Sequence, residues 1–157
     1  MIQKFWDDVL WGKLDTLLVD LPPGTSDATI TVMQHLPIKG VMLVTSPQEL
    51  SGMVVRKAAH LLNRLDIPIL GVVENMSFFL CPGCDEEYSV FGPSHSAQLA
   101  ADFNTTLVAR LPVDPAIAEL CDQGKVEQVQ MPEIMALAAQ FMVETKMHIS
   151  ASGSIEK

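Results

Sequence analysis

Cationic side chains are scarce in this sequence: ten Lys and Arg stand against nineteen Asp and Glu, a net charge of -9 over 157 residues. Such a balance repels phosphate backbones and anionic lipid, so neither a nucleic-acid partner nor a membrane surface is expected. Cysteine is scarcer still. Three residues, Cys81, Cys84 and Cys121, are too few and too unevenly spaced for a secreted disulfide framework. No apolar run approaches the roughly 20 residues needed to span a bilayer. The opening "MIQKFWDDVLWG" carries charge where a signal peptide needs an apolar stretch. The expected location is the cytoplasm, with proteins, metals or a locally held nucleotide as partners. Internal repeats, linkers and low-complexity blocks are missing as well. So is any G-x-x-x-x-G-K-S/T: Gly12-Lys13 has neither the upstream glycine nor a following Ser or Thr, which leaves a phosphate without a cradle. His35, His60 and His148 have no partner at catalytic spacing, and no Ser, His and Asp arrangement emerges.

What remains is an alternation of compact apolar runs and amphipathic stretches. Ile2, Phe5, Trp6, Val9 and Leu10 fall at helical spacing before Gly12. "DTLLVD" (15–20) reads as a buried strand feeding the turn-rich "LPPGTSD". A helix capped by Asp27 is expected through about Leu36, then a strand "GVMLVT" (40–45). In "SPQE" Ser46 serves as N-cap, Pro47 as first helical residue and Glu49 as the capping-box partner of a helix to about Leu65. Residues 68–75 form a third strand, 76–93 a long loop, 94–103 a helix capped by Ser94, and 106–112 a fourth strand. Asp114 then caps a helix with Pro115 at its first position and Gly124 at its end. A last helix spans 132–147, and 149–157 read as a frayed, disordered tail.

Length and apolar content fit a single domain over residues 1–148. Nearly continuous apolar strands joined by helices predict an α/β fold, a mostly parallel sheet with helices on both faces. Ligands of such sheets bind beyond the carboxyl ends of the strands. Asp20 with "PPGTSD", Thr45 and Ser46, Glu74 and Asn75, and "LPVD" at 111–114 all lie at those ends.

Between the third and fourth strands sits "CPGC", which brings the Cys81 and Cys84 thiols to one side of a tight turn, Pro82 restricting the backbone and Gly83 allowing close approach. Taken alone, the pair fits a structural zinc knuckle, a redox dithiol, an iron-sulfur ligand pair or a metal-free turn. A thioredoxin-like dithiol would sit at a helix start instead of in a loop. Cys121, in the apolar helical context "AIAELC", reads as a buried structural cysteine. His95 is the nearest histidine, but no second one completes a familiar zinc spacing. Phe78, Phe79 and Leu80 either pack the loop or face a partner.

Asp20 closes an apolar run, where P-loop NTPases keep an acid that holds magnesium. The whole stretch "DTLLVDLPPGTSD" resembles the Walker B and switch segment of the Mrp/ApbC-type ATPases, MinD-like P-loop proteins that carry iron-sulfur clusters, with Ser26 where Gly is commoner. "VTSPQE", "VENMS", "CPGC", "FGPS" and "LPVDP" follow in that family's order, so the resemblance covers about residues 1–130. It implies Asp20 near magnesium, Gly24 near the terminal phosphate of ATP, and Asn75, Pro112 and Asp114 around the base. It implies Cys81 and Cys84 as ligands of a 4Fe-4S cluster shared between two chains of a homodimer, four thiolates from two identical clips, and delivery of that cluster to apo iron-sulfur proteins. The family's glycine-rich loop precedes the segment matched here, and the strand feeding it lies in mid-sheet beside "DTLLVD". The chain is therefore expected to be a C-terminal portion, from a truncated or split reading frame or a fragment. Its sheet should be incomplete, its stability alone poor, and its intrinsic ATP hydrolysis nil. A MinD-type positioning ATPase and a zinc-knuckle interaction fragment are the alternatives.

Overall fold

The computed structural model describes residues 2–151. Helix α1 covers Ile2–Asp8 and α2 covers Asp27–His35. Strand β1 (Val41–Thr45) leads into α3 (Glu49–Arg64), and β2 (Ile69–Leu80) into the short β3 (Glu87–Tyr88). Then come α4 (Ser96–Asp102), β4 (Leu107–Pro112), α5 (Pro115–Asp122), a 3-10 turn at Val126–Gln128, and α6 (Pro132–Ala151). The helix prediction at 132–147 holds, and α6 runs on to Ala151, into the segment read as tail; residues 152–157 of that reading lie outside the described residues.

β2 is the central strand. β1 and β4 flank it in parallel, while β3 folds back antiparallel on its far end. The register sets Thr45 of β1 beside Glu74, with Arg110 of β4 on the other side of that same residue. Val72 is fully buried in a core built with Met33 of α2, Leu43 of β1, Val55, Ala59 and Leu62 of α3, and Leu99 and Ala100 of α4. Side chains alternate across a strand, so Val73 faces the opposite side, where it is also buried; α6 packs against β4 and β2. The sheet is thus mostly parallel and helix-covered, as the apolar strand runs predict.

Four local expectations are corrected. Residues 15–20 form no strand: they run as extended coil, with Leu17, Leu18 and Val19 exposed by 38%, 75% and 45%. A strand needs a neighbour to pair its amides, and among the described residues β1 pairs only with β2. The caps of three helices also shift. Ser26, not Asp27, caps α2, its Oγ accepting from the Thr29 amide at 3.2 Å. α3 starts later than "SPQE" suggests: Gln48 is its N-cap with no side-chain bond, because the Ser46 hydroxyl donates to the Gln48 side chain and the Ser46 amide to Ser51 Oγ. His95 precedes α4, and the Ser94 hydroxyl is engaged with Ser96 Oγ at 2.8 Å. Asp114 does cap α5 as expected, accepting from the Ala116 amide at 2.9 Å.

Candidate functional site

The predicted ligand residues are distributed over neighbouring strands and the loops beside them. Asn75 follows Glu74 on β2, and Pro112 ends β4 two residues after Arg110, so the two lie on neighbouring parallel strands, with Asp114 just beyond. The Asn75 carboxamide oxygen accepts from the Met76 amide at 2.9 Å, and Met76 adopts a left-handed φ of 53°. There the pairing of β2 with β4 slips, so β2 bends through a bulge instead of stopping at residue 75. Gly24, at φ 77°, lies in the loop before α2; a Cβ there would sit 3.9 Å from Val54 of α3. That loop is tied to α2 by the Thr29 hydroxyl, which donates to the Pro22 carbonyl at 3.3 Å. Asp20 is exposed in the extended segment before it. A cavity of about 200 Å³ opens where β1 ends, beside Glu74 of β2, lined by Thr45, Ser46, Gln48, Arg56, Glu74 and His95 among others. Asp20, Gly24, Asn75, Pro112 and Asp114 do not line it.

Glu74 forms part of that wall and is fully buried. Burying a carboxylate is costly unless charge and hydrogen bonds compensate it. The Ser77 hydroxyl donates to Glu74 Oε2, and Arg110 Nε donates to Ser77 Oγ at 2.8 Å while lying 3.9 Å from Glu74 Oε2. Among the described residues Glu74 Oε1 has no hydrogen-bond partner. Sequence reasoning marked Glu74 only as polar punctuation and passed over Ser77 and Arg110. The available signal was a charge of each sign inside apolar runs, "VVENMS" and "LVARLP"; their pairing depends on a strand register that sequence does not disclose.

The cysteine pair sits at the tip of the hairpin made by the end of β2 and β3. Phe79 pairs with Tyr88 and Leu80 with Glu87, and the turn closes as the Cys81 amide donates to the Glu86 carbonyl at 3.0 Å and the Asp85 amide to the Cys81 carbonyl at 2.9 Å. Cys81 is half-buried and Cys84 exposed, and both are free thiols. The Gly83 backbone amide, followed by the Cys84 side chain, lowers the Cys81 thiol below its ordinary value. The Tyr88 hydroxyl is raised by hydrogen bonds to Cys84 and then Glu86. Gly83 is less critical than expected: a Cβ there would meet only Cys81 Sγ, at an ordinary 3.9 Å, and the left-handed residue of the turn is Asp85. Cys121 is exposed on α5, not buried, because no residue of that helix is buried. His95 stands at the cavity, and among the described residues no third His, Cys, Asp or Glu joins the pair into a metal-holding group. Nor is any described helix long and apolar enough to cross a membrane.

Known proteins similar to this chain identify its family. The family described as NUBPL iron-transfer P-loop NTPase, within ParA, matches residues 1–147. The iron-sulfur cluster carrier protein of Methanococcus maripaludis is 43% identical over 124 residues, 78% of this chain and 43% of that protein. That of Methanocaldococcus jannaschii is 41% identical over 124 residues, covering 78% and 43%. That of Aquifex aeolicus is 36% identical over 132 residues, covering 84% and 36%. The chain thus spans well under half the length of these relatives. Among solved structures, a nucleotide-binding protein from Archaeoglobus fulgidus in complex with ADP, with cobalt found in it, superposes with a TM-score of 0.75 at 40% identity. The match covers 85% of this chain and 55% of that one.

Proposed function

The chain belongs to the NUBPL-type iron-transfer P-loop NTPases of the ParA family, and from that premise we propose that it is the cluster-holding portion of an iron-sulfur cluster carrier. The observation that carries this reading is the hairpin tip: two free thiols in one turn, one half-buried and one exposed, with Cys81 shifted toward the thiolate that binds metal. Cys81 and Cys84 are the metal ligands. Two soft ligands are half of the four that a 4Fe-4S cluster takes, so a second copy supplies its own Cys81 and Cys84 across a two-fold axis. Leu80, Tyr88, Val90 and Phe91 around the turn are all exposed apolar or aromatic groups, and such a rim favours burial against a partner. The cluster is cargo. Held between two chains at an exposed edge, it is released to apo iron-sulfur proteins in the cytoplasm when the pair separates.

The nucleotide side is only partly present. Asn75, Pro112 and Asp114 are assigned to a base: they supply a carboxamide, an apolar ring and a carboxylate on or just after the neighbouring strands β2 and β4. Asp20 is assigned to magnesium and Gly24 to the approach of the terminal phosphate. No residue of this sequence forms a glycine-lysine cradle for the phosphates, so ATP binding and hydrolysis are assigned to the longer family members and not to these residues alone.

Anaerobic incubation with ferrous iron and sulfide tests the proposal. The expected product is brown, holds one cluster per two chains and runs as a dimer, while Cys81→Ser and Cys84→Ser stay colourless and monomeric. Colourless wild-type protein that retains zinc would establish the knuckle instead.

A further inference from the structure

Arg110 stands between the two halves of this molecule. Its Nε reaches Ser77 Oγ at 2.8 Å, and through it the fully buried Glu74 in the cavity wall. Its Nη2 lies 3.6 Å from Glu87 Oε2 on β3. Its guanidinium carbon sits 5.0 Å from the centroid of the Phe78 ring, in cation-π range. One planar fork therefore touches the strand floor, the aromatic residue just past the bulge and the returning strand of the cysteine hairpin. That hairpin has little else to hold it. β3 is two residues long, its ladder to β2 has only the pairs Phe79–Tyr88 and Leu80–Glu87, and a lone two-stranded ribbon is marginal in water.

We infer that Arg110 is the positioning residue of the cysteine hairpin: it fastens Glu87 to the buried Glu74–Ser77 pair and so fixes where Cys81 and Cys84 stand relative to the sheet. A lysine cannot replace it, because Nε faces the Ser77–Glu74 pair while Nη2 of the same rigid plane faces Glu87. The inference rests on reading the cysteine pair as the metal clip for its purpose, but not for its geometry.

Hydrogen-deuterium exchange of the full metal-free chain tests it. Glu87→Gln cuts only the hairpin arm and leaves Glu74 compensated, so the sheet stays folded. Amides of residues 79–88 should exchange faster, by up to about fivefold given the exposure of the pair, while those of α3 and β1 keep their wild-type rates. Arg110→Lys should loosen the same segment at least as much, and adding Glu87→Gln to Arg110→Lys should add little further. Equal hairpin exchange in wild type, Glu87→Gln and Arg110→Lys would overturn the role of Arg110. Titration with Co2+ alone separates this from the reading beneath it. A thiolate-to-metal band that needs a higher Co2+ concentration in Glu87→Gln supports both. A wild-type chain with no such band speaks against the clip, while the exchange rates still decide on Arg110.

Discussion

The Cys81 thiol shows how far backbone geometry alone sets chemistry here. Because the Gly83 amide and then the Cys84 side chain favour its charged form, more of it is thiolate at neutral pH than in an ordinary exposed thiol. In metal-free protein, iodoacetamide should label Cys81 faster than a cysteine in an unstructured peptide. The advantage should be greatest below the ordinary thiol pKa and should vanish at alkaline pH, where both are ionised; peptide mapping across a pH series reads this out. The linkage has the same sign. A depressed folded-state value adds stability above the unfolded pKa, and that increment disappears as the pH falls through the lowered value. A second residue-scale test concerns Gly40, where an added Cβ would lie 2.6 Å from Leu70 Cγ and Cδ2. Leu70 is itself 2% exposed and has little room to yield, so Gly40→Ala should destabilise the fold by about 1–3 kcal/mol, measured as a lower urea midpoint. The cysteines were legible in the sequence because spacing alone placed them in one turn. Arg110 was not, because its partners lie 33 residues away at Ser77 and on a strand too short to announce itself.

Elements were legible where periodicity and burial agree. α2, α3 and β1 fall close to their expected ranges, since their apolar faces meet one core; α5, with no buried residue, was legible from its Asp114 cap and Pro115 instead. β2 was read as ending at Asn75, because "ENMS" interrupts the apolar run. The chain instead passes through the Met76 bulge and continues to Leu80, supported by β4 at Pro112 and by β3. The opposite error came at residues 15–20, where the composition of a buried strand is present but no neighbour is available to make it one. Leu18, 75% exposed, gains nothing from burial in this chain. Leu18→Lys should therefore change the unfolding free energy by no more than about 0.5 kcal/mol while raising the soluble fraction after heating. A large loss of stability would show that the segment is packed after all.

For the whole molecule, the mostly parallel architecture followed from the strand composition, whereas the strand order and the free edge of β1 required the structure. Among the described residues that edge is unpaired; Val44 of β1 is 59% exposed, and Leu17–Val19 are exposed in the coil before α2. Assembly is also shaped by charge. Two copies each at -9 repel one another, and raising salt shortens the range of that repulsion to about 8 Å near physiological strength. Sedimentation of the cluster-loaded protein should show the dimer fraction rising from low to moderate sodium chloride. A dimer that falls apart with salt would instead mean an interface built on ion pairs.

The bulge at Met76 has a last consequence for that assembly. Successive residues along a strand point to opposite faces, and from Glu74 to Phe78 β2 advances four residues while β4 advances two, so the two extra residues taken up around Met76 keep everything downstream on its original side of the sheet. Shortening the chain by one position at this elbow would break that evenness and turn the sulfurs of Cys81 and Cys84 to the reverse side of the sheet, with both thiols intact.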